Sequence, residues 1–245
     1  MLPLHWGIES SAFTTGSGGI PTRSLSFVAA SNKYLSTSNS NWGSYNRAKF
    51  AFSLWFKLAT AGSSGELYAK WDSVGANQEF NFFIDGSQNI EFSTVSTSGA
   101  NAFYVSSASV ADTNWHHLLF YYDSGNATSG NRLMLWVDGT LDTPALHTSP
   151  NLNIPVQTTT TDTRIGIRYV TNNPFDGLIF QPGFFSGTLP NINSVYNAGN
   201  PVDISGLSGL WSLLNTNATD PLTQDFVLSN PWTNNNTVTK STTIP

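Results

Sequence analysis

Residues 50–58 constrain the chain more than any other stretch. Phe50, Phe52, Leu54, Phe56 and Leu58 are apolar at every second position, with Ala51, Ser53, Trp55 and Lys57 between them. Successive side chains of a strand point to opposite faces, so a sustained period of two specifies a strand and not a helix.

Residues 112–139 repeat that grammar. Two short apolar runs, 116–122 and 132–137, flank a Gly-, Ser- and Asn-rich segment, and Asp138-Gly139 closes the second run. An Asp-Gly pair favours positive φ, as a tight hairpin requires. Further short runs fall at 25–28, 66–71, 80–85, 90–95, 102–105, 163–169, 175–180 and 183–185, with Gly, Asn or Pro in the segments between them. A loop that includes Gly86 separates the pair 80–85 and 90–95. Only 192–198 has the makings of a helical turn. Pro155 and the Thr run 158–161 mark an exposed edge or loop, since Pro cannot donate to a ladder. Strands at roughly ten-residue spacing with turn signals between them predict an all-β antiparallel sandwich.

The sandwich is expected over 22–200. Residues 1–21 read as a tail, broken by Pro3, a T-T-G-S-G-G segment and Pro21. Its Trp6 and Phe13 must dock, either on the body or on a neighbouring subunit. Residues 201–245 read as an extension that either returns as an edge strand or leaves the body.

Composition narrows the function. Charged residues make up 10% of the chain, against about 25% in a typical soluble domain. Asn, Ser and Thr must therefore cover the surface. A net charge of −5 with ten scattered Lys and Arg argues against nucleic acid. The absence of Cys removes disulfides, thiol catalysis and Cys-based zinc sites. No apolar stretch is long enough to span a bilayer. The first residues lack the basic and apolar regions of a secretory signal, so the chain is expected to stay outside that pathway.

Hydrolysis of glycosides needs paired carboxylates. The four Glu (9, 66, 79, 91) are dispersed, and no E-x-D-x-E pattern occurs. His116 and His117 are adjacent on a predicted strand, so their rings point to opposite faces and share neither a metal nor a proton. One is expected to be packed, the other exposed, both structural. No G-x-S-x-G elbow is present. Sugar recognition favours aromatic rings flanked by amides, because a flat ring covers a pyranose face while amides pair with hydroxyls. Trp42, Tyr45 and Asn46 in one loop, and Tyr169, Asn172 and Asn173 in another, have that make-up. The plainer reading of these rings is that they cap the ends of the sandwich.

In order along the chain stand S-L-S-F…Y-L-S (24–36), F-A-F-S-L-W-F-K (50–57), F-N-F-F-I-D-G…I-E-F-S (80–93) and N-W-H-H-L-L-F-Y-Y-D (114–123). They are followed by N-R-L-M-L-W-V-D-G (131–139), R-I-G-I (164–167), F-D-G-L-I-F-Q-P-G-F-F-S-G-T-L (175–189) and V-Y-N-A-G (195–199). This series, from Ser24 to Gly199, resembles the laminin G-like, concanavalin A-like jelly-roll family. W-H-H and L-W-V-D-G at their separation are its most specific part. The chain departs from the pattern at Phe180-Gln181-Pro182-Gly183, where such domains have an acidic residue and a further strand. The resemblance implies a jelly roll, and the residues outside it add irregular N- and C-terminal extensions. It also implies calcium as a candidate cofactor, held by strand-end carboxylates, here Asp112, Asp123 and Asp176. Asp is equally the standard turn residue there, and no D-x-D-x-D loop occurs.

The expected function is a non-catalytic binding or decoration module on the surface of a phage-like particle. Its partners would be neighbouring subunits or further copies of itself, engaged through the termini, with cell-surface glycans as candidate ligands. The alternative is a secreted or cell-surface carbohydrate-binding adhesion module. A glycan-active enzyme ranks last.

Overall fold

A computed structural model describes residues 19–42, 44–72, 77–169, 172–214, 225, 227 and 231–245. Trp6, Phe13 and most of the expected N-terminal tail lie outside these residues. In chain order the strands are β1 (Ser24–Phe27), β2 (Tyr34–Thr37), β3 (Lys49–Leu58), β4 (Gly65–Trp71), β5 (Gln78–Ile84), β6 (Asn89–Val95), β7 (Asn101–Ser109) and β8 (His116–Asp123). They continue as β9 (Leu133–Val137), β10 (Thr140–Leu141), β11 (Leu146–Thr148), β12 (Thr163–Ile165), β13 (Gly177–Ser186), β14 (Leu210–Leu213), β15 (Thr233–Asn235) and β16 (Thr239–Ser241). A four-residue helix, α1 (Asn39–Trp42), follows β2.

The strands form two antiparallel sheets, as a jelly roll requires. The first has the order β10-β9-β8-β3-β13-β1-β16, with β14 also paired to β13; the second has the order β11-β7-β6-β5-β4-β12-β2-β15. Asp138 and Gly139 turn β9 into β10 with φ of 49° and 79°. This is the double positive φ of the tight hairpin that their sequence predicts. A side chain at position 139 would also run into the Tyr196 ring, 2.5 Å from where a Cβ would sit.

The inner faces meet in one core. Phe50, Phe52, Leu54, Phe56 and Leu58 of β3 enter it with Phe80, Phe82, Phe92, Leu118, Phe120 and Tyr122. The first sheet is also covered on its outer face. Ala51, Leu119, Tyr121, Phe185, Val195, Ile204 and Leu213 form a second apolar cluster there, beneath chain that carries Leu189, Ile192 and Leu207. That second layer explains why β8 is apolar at consecutive positions.

The Phe180-Gln181-Pro182-Gly183 departure becomes a β-bulge. The register of β13 against β3 shifts between Phe180 and Gly183, Gln181 has φ 52°, and its Nε2 donates to the Val202 carbonyl at 2.9 Å. The two runs read around this point are one strand, bent where Pro leaves the ladder.

The C-terminal chain returns to the body. β15 pairs with β2 and β16 with β1, which closes one edge of both sheets. Trp232 and Val238 enter the core. The 158–161 segment is less exposed than its sequence suggests, because Thr159 and Thr161 are buried.

Candidate functional site

Cross-strand register builds the most site-like surface, on the outer face of the second sheet. Residues directly opposite in neighbouring strands share a face. One row runs Thr148–Phe103–Ser93–Asn81–Ala69 across β11, β7, β6, β5 and β4. The row beside it runs Leu146–Val105–Glu91–Phe83–Glu66 across the same strands. A bulge between Glu66 and Tyr68 lets Glu66 face outward while Tyr68 enters the core.

Over these rows lies Arg168, delivered by the turn after β12. Gly166 permits that turn: its φ is +88°, and a Cβ there would sit 2.5 Å from the Phe27 ring. The Arg168 guanidinium stacks 4.7 Å above the Phe83 ring. Its Nε donates to Glu66 Oε2 at 3.0 Å. With the Asn81 amide oxygen turned toward it, Nε and Nη2 each lie 3.2 Å from that oxygen, while the amide nitrogen donates to the Ser93 carbonyl. Glu66 is fully buried and also accepts from the Phe82 N–H at 3.2 Å and Asn173 Nδ2 at 3.4 Å. Burial pushes its carboxyl up to about 7, against the opposing pull of Arg168. Burial also raises the half-buried Glu91.

The result is an open groove of about 460 Å³, with Trp71, Phe83 and Phe103 as aromatic surfaces and Asn81, Ser93 and Glu91 as polar ones. Arg168 and Phe83 are shared with an adjoining pocket of about 370 Å³, edged by Asp85, Asn172 and Asn173. Such volumes fall in the ordinary range for ligand sites.

The two loops singled out in the sequence separate here. Asn172 and Asn173 edge the adjoining pocket, and Arg168 N–H donates to the Asn172 carbonyl at 3.2 Å. Tyr169 is half-buried and bridges to Asn172 across the same turn. Trp42 and Tyr45 are corrections: at 0% and 3% exposure they are core rings and offer no face to a sugar. Trp42 packs 4.7 Å from Phe184, and the Tyr45 hydroxyl donates to Glu79 at 2.6 Å. Asn46 is exposed but sits at the far end of β3, donating its N–H to Ser186 Oγ. The ten residues of β3 put about 30 Å between the two loops.

The three aspartates do not converge either. Asp112 and Asp123 stand at opposite ends of β8 and serve as turn residues, accepting from the N–H of Asn114 and Gly125. Asp176 lies beside Lys57 and Thr113. Among the described residues no three His, Asp or Glu side chains gather closely enough to hold a metal.

His116 and His117 split as strand geometry demands. His117 is buried, with Nε2 3.0 Å from Ser53 Oγ, and burial pushes it down to about 3. His116 bridges Asp138 at 2.8 Å and Asp112 at 3.1 Å, and its pKa is raised chiefly by the Asp138 hydrogen bond. The two therefore act oppositely on stability. The unfolded value is about 6.5. The His117 contribution is complete above it and falls by up to about 1.4 kcal/mol per pH unit below it, because the unfolded chain takes up a proton that the buried ring does not. The His116 contribution is complete below about 6.5 and is lost as pH rises through its higher folded value. Ring-proton NMR titration should show His116 titrating above its ordinary range and His117 neutral to below about pH 4. A His117 midpoint near 6.5 would refute the assignment.

Sequence comparison places residues 29–191 in the concanavalin A-like lectin/glucanases superfamily. No curated protein matches the chain. Among solved structures, a candidate carbohydrate-binding protein from Bacteroides ovatus superposes with a TM-score of 0.63 at 15% identity, over 91% of this chain and 60% of its own. This chain thus spans about three fifths of that protein's length. The heptameric SAP-like pentraxin of Limulus polyphemus gives 0.50 at 10% identity, over 90% of this chain and 94% of its own. A variant of NanB sialidase from Streptococcus pneumoniae gives 0.52 at 16% identity, over 75% of this chain and 28% of its own. At these identities the likeness is one of fold.

Proposed function

This chain belongs to the concanavalin A-like lectin/glucanases superfamily, and from that membership we propose that it is a non-catalytic glycan-binding module whose ligand lies in the groove over β4–β7. The observation that carries the reading is the pair of cross-strand rows. They set Phe103 and Phe83 beside Ser93 and Glu91 on one open face, which Trp71, Asn101 and Arg168 complete. Rings supply apolar surface for pyranose faces, and the amide, hydroxyl and guanidinium groups match sugar hydroxyls. The Bacteroides ovatus neighbour, described as a candidate carbohydrate-binding protein, agrees with it.

Support for a binding role over hydrolysis comes from Glu66. It has the raised pKa of a general acid, but its oxygens are enclosed and committed to Arg168, Asn173 and the Phe82 N–H. It cannot reach a glycosidic oxygen in that position.

Glycan-array binding followed by calorimetry tests the proposal. Trp71→Ala and Phe103→Ala should each weaken binding roughly tenfold with the unfolding midpoint nearly unchanged, and chelators should leave affinity as it was. Loss of neither ring affecting any glycan would end the assignment. The low charge content and amide-rich composition favour display on an assembled, phage-like particle, beside neighbouring subunits. Immunolabelling of purified particles checks that setting, and unlabelled particles would refute it.

A further inference from the structure

We infer that the groove selects uncharged sugars linked in a chain and discriminates against acidic ones. This rests on the glycan-binding reading and assigns its ligand class.

The argument starts from where charge lies. The cation shared by the groove and its adjoining pocket is Arg168. A carboxylate or sulfate would ordinarily seek such a guanidinium for bidentate pairing. Here Glu66, 3.0 Å from its Nε and fully buried, already supplies the opposite charge. The guanidinium is also held flat against Phe83, with Nη2 turned to Asn81. It is thus a fixed hydrogen-bond donor in a neutral pair. The remaining charged side chains of the two pockets are acids: Glu91 beside Ser93 in the groove and Asp85 at the adjoining rim. An acidic sugar lying across the Arg168–Phe83 stack would meet two carboxylates with no uncommitted cation among the described lining residues. A neutral sugar meets only donors, acceptors and rings.

The footprint argues for several linked rings over one terminal sugar. The rows cross five strands, β11, β7, β6, β5 and β4, and four inter-strand gaps make about 19 Å. Trp71 and Phe103 stand on strands separated by β5 and β6, so one sugar ring cannot cover both. A chain lying across the strands can.

The experiment compares linear neutral oligosaccharides of increasing length with counterparts carrying uronic acid or sulfate, using the full chain at about pH 8, above the Glu66 value of about 7. The expected result is affinity that rises with chain length and then levels off, with acidic counterparts bound about tenfold more weakly or worse. Glu91→Gln should narrow that gap at least about threefold. Raising salt to about 1 M, where the screening length is about 3 Å, should narrow it in the parent protein, which needs no variant to fold. Acidic glycans bound as tightly as neutral ones, or a single sugar bound as tightly as its oligomer, would overturn this inference while leaving glycan binding intact. Binding of no glycan would overturn the proposed function itself.

Discussion

Glu79→Gln should lower the stability of the sandwich by about 3–5 kcal/mol, the cost of stranding buried cations without their counter-ion. Glu79 and Lys70 are both fully buried, with Lys70 Nζ 2.7 Å from Glu79 Oε2. Arg47 Nε lies 2.9 Å from Oε1, which also accepts from the Tyr45 hydroxyl. Lys70 further donates to Asn39 Oδ1 at 2.8 Å and to Thr159 Oγ1 at 3.1 Å. The cluster thereby ties the chain around α1 to β4, β5 and the segment before β12. Burial already lowers the Lys70 pKa, against the pull of Glu79. Removing the carboxylate therefore favours a neutral amine, and the loss should shrink as pH rises toward the lowered value. Glu79→Gln combined with Lys70→Met should recover much of the loss, because the fully buried Lys70 charge is then gone and only the partly exposed Arg47 is left without its carboxylate. Lys49→Ala, which removes the exposed partner of Asp123 at 3.5 Å, should cost under about 1 kcal/mol. Urea unfolding of the four proteins decides it. A Glu79→Gln midpoint indistinguishable from the parent would show that the cluster contributes nothing net.

Much of this scaffold can be read from the chain. The alternation in β3, the Asp138-Gly139 turn and the opposed histidines depend on local rules, and local rules hold at those positions. The groove is harder. Glu66, Phe83 and Glu91 become neighbours only through the pairing of β4, β5 and β6, and cross-strand register is set by the packed core as a whole. One signal was available. Phe83 breaks the alternation of Phe80, Phe82 and Ile84, and an aromatic on the outer face of a strand calls for a ligand or a cover. The loop at 38–46 misleads for the complementary reason. Its amides and hydroxyls suggest solvent, while Trp42 and Tyr45 turn inward to close the core. Composition records what surrounds a ring in sequence, and burial depends on what surrounds it in space.

Trp42→Ala should cost about 3–5 kcal/mol, the range for deleting a large buried ring. The indole stands among Tyr45, Tyr68, Phe184 and Trp232, with centroid separations of 6.2, 5.7, 4.7 and 6.2 Å. Those neighbours come from four separate parts of the chain, so the cavity cannot close by shifting any one of them. Trp42→Phe keeps most of the apolar contact and should cost less than half as much. Trp232 makes the same point from the other end of the sequence. It is buried against Trp42 and Tyr68 just ahead of β15, so deleting residues 231–245 removes that ring together with both edge strands. The truncated chain should expose the edges of β1 and β2 and aggregate. Thermal unfolding monitored by tryptophan fluorescence, with glycan binding measured on protein still folded, separates packing from recognition. If Trp42→Ala kept the parental midpoint and lost its glycan, the ring would be a ligand surface after all. The expected pattern is the reverse: a lower midpoint, with parental affinity in whatever fraction remains folded, because the groove over β4–β7 lies on the opposite face of the second sheet from this ring.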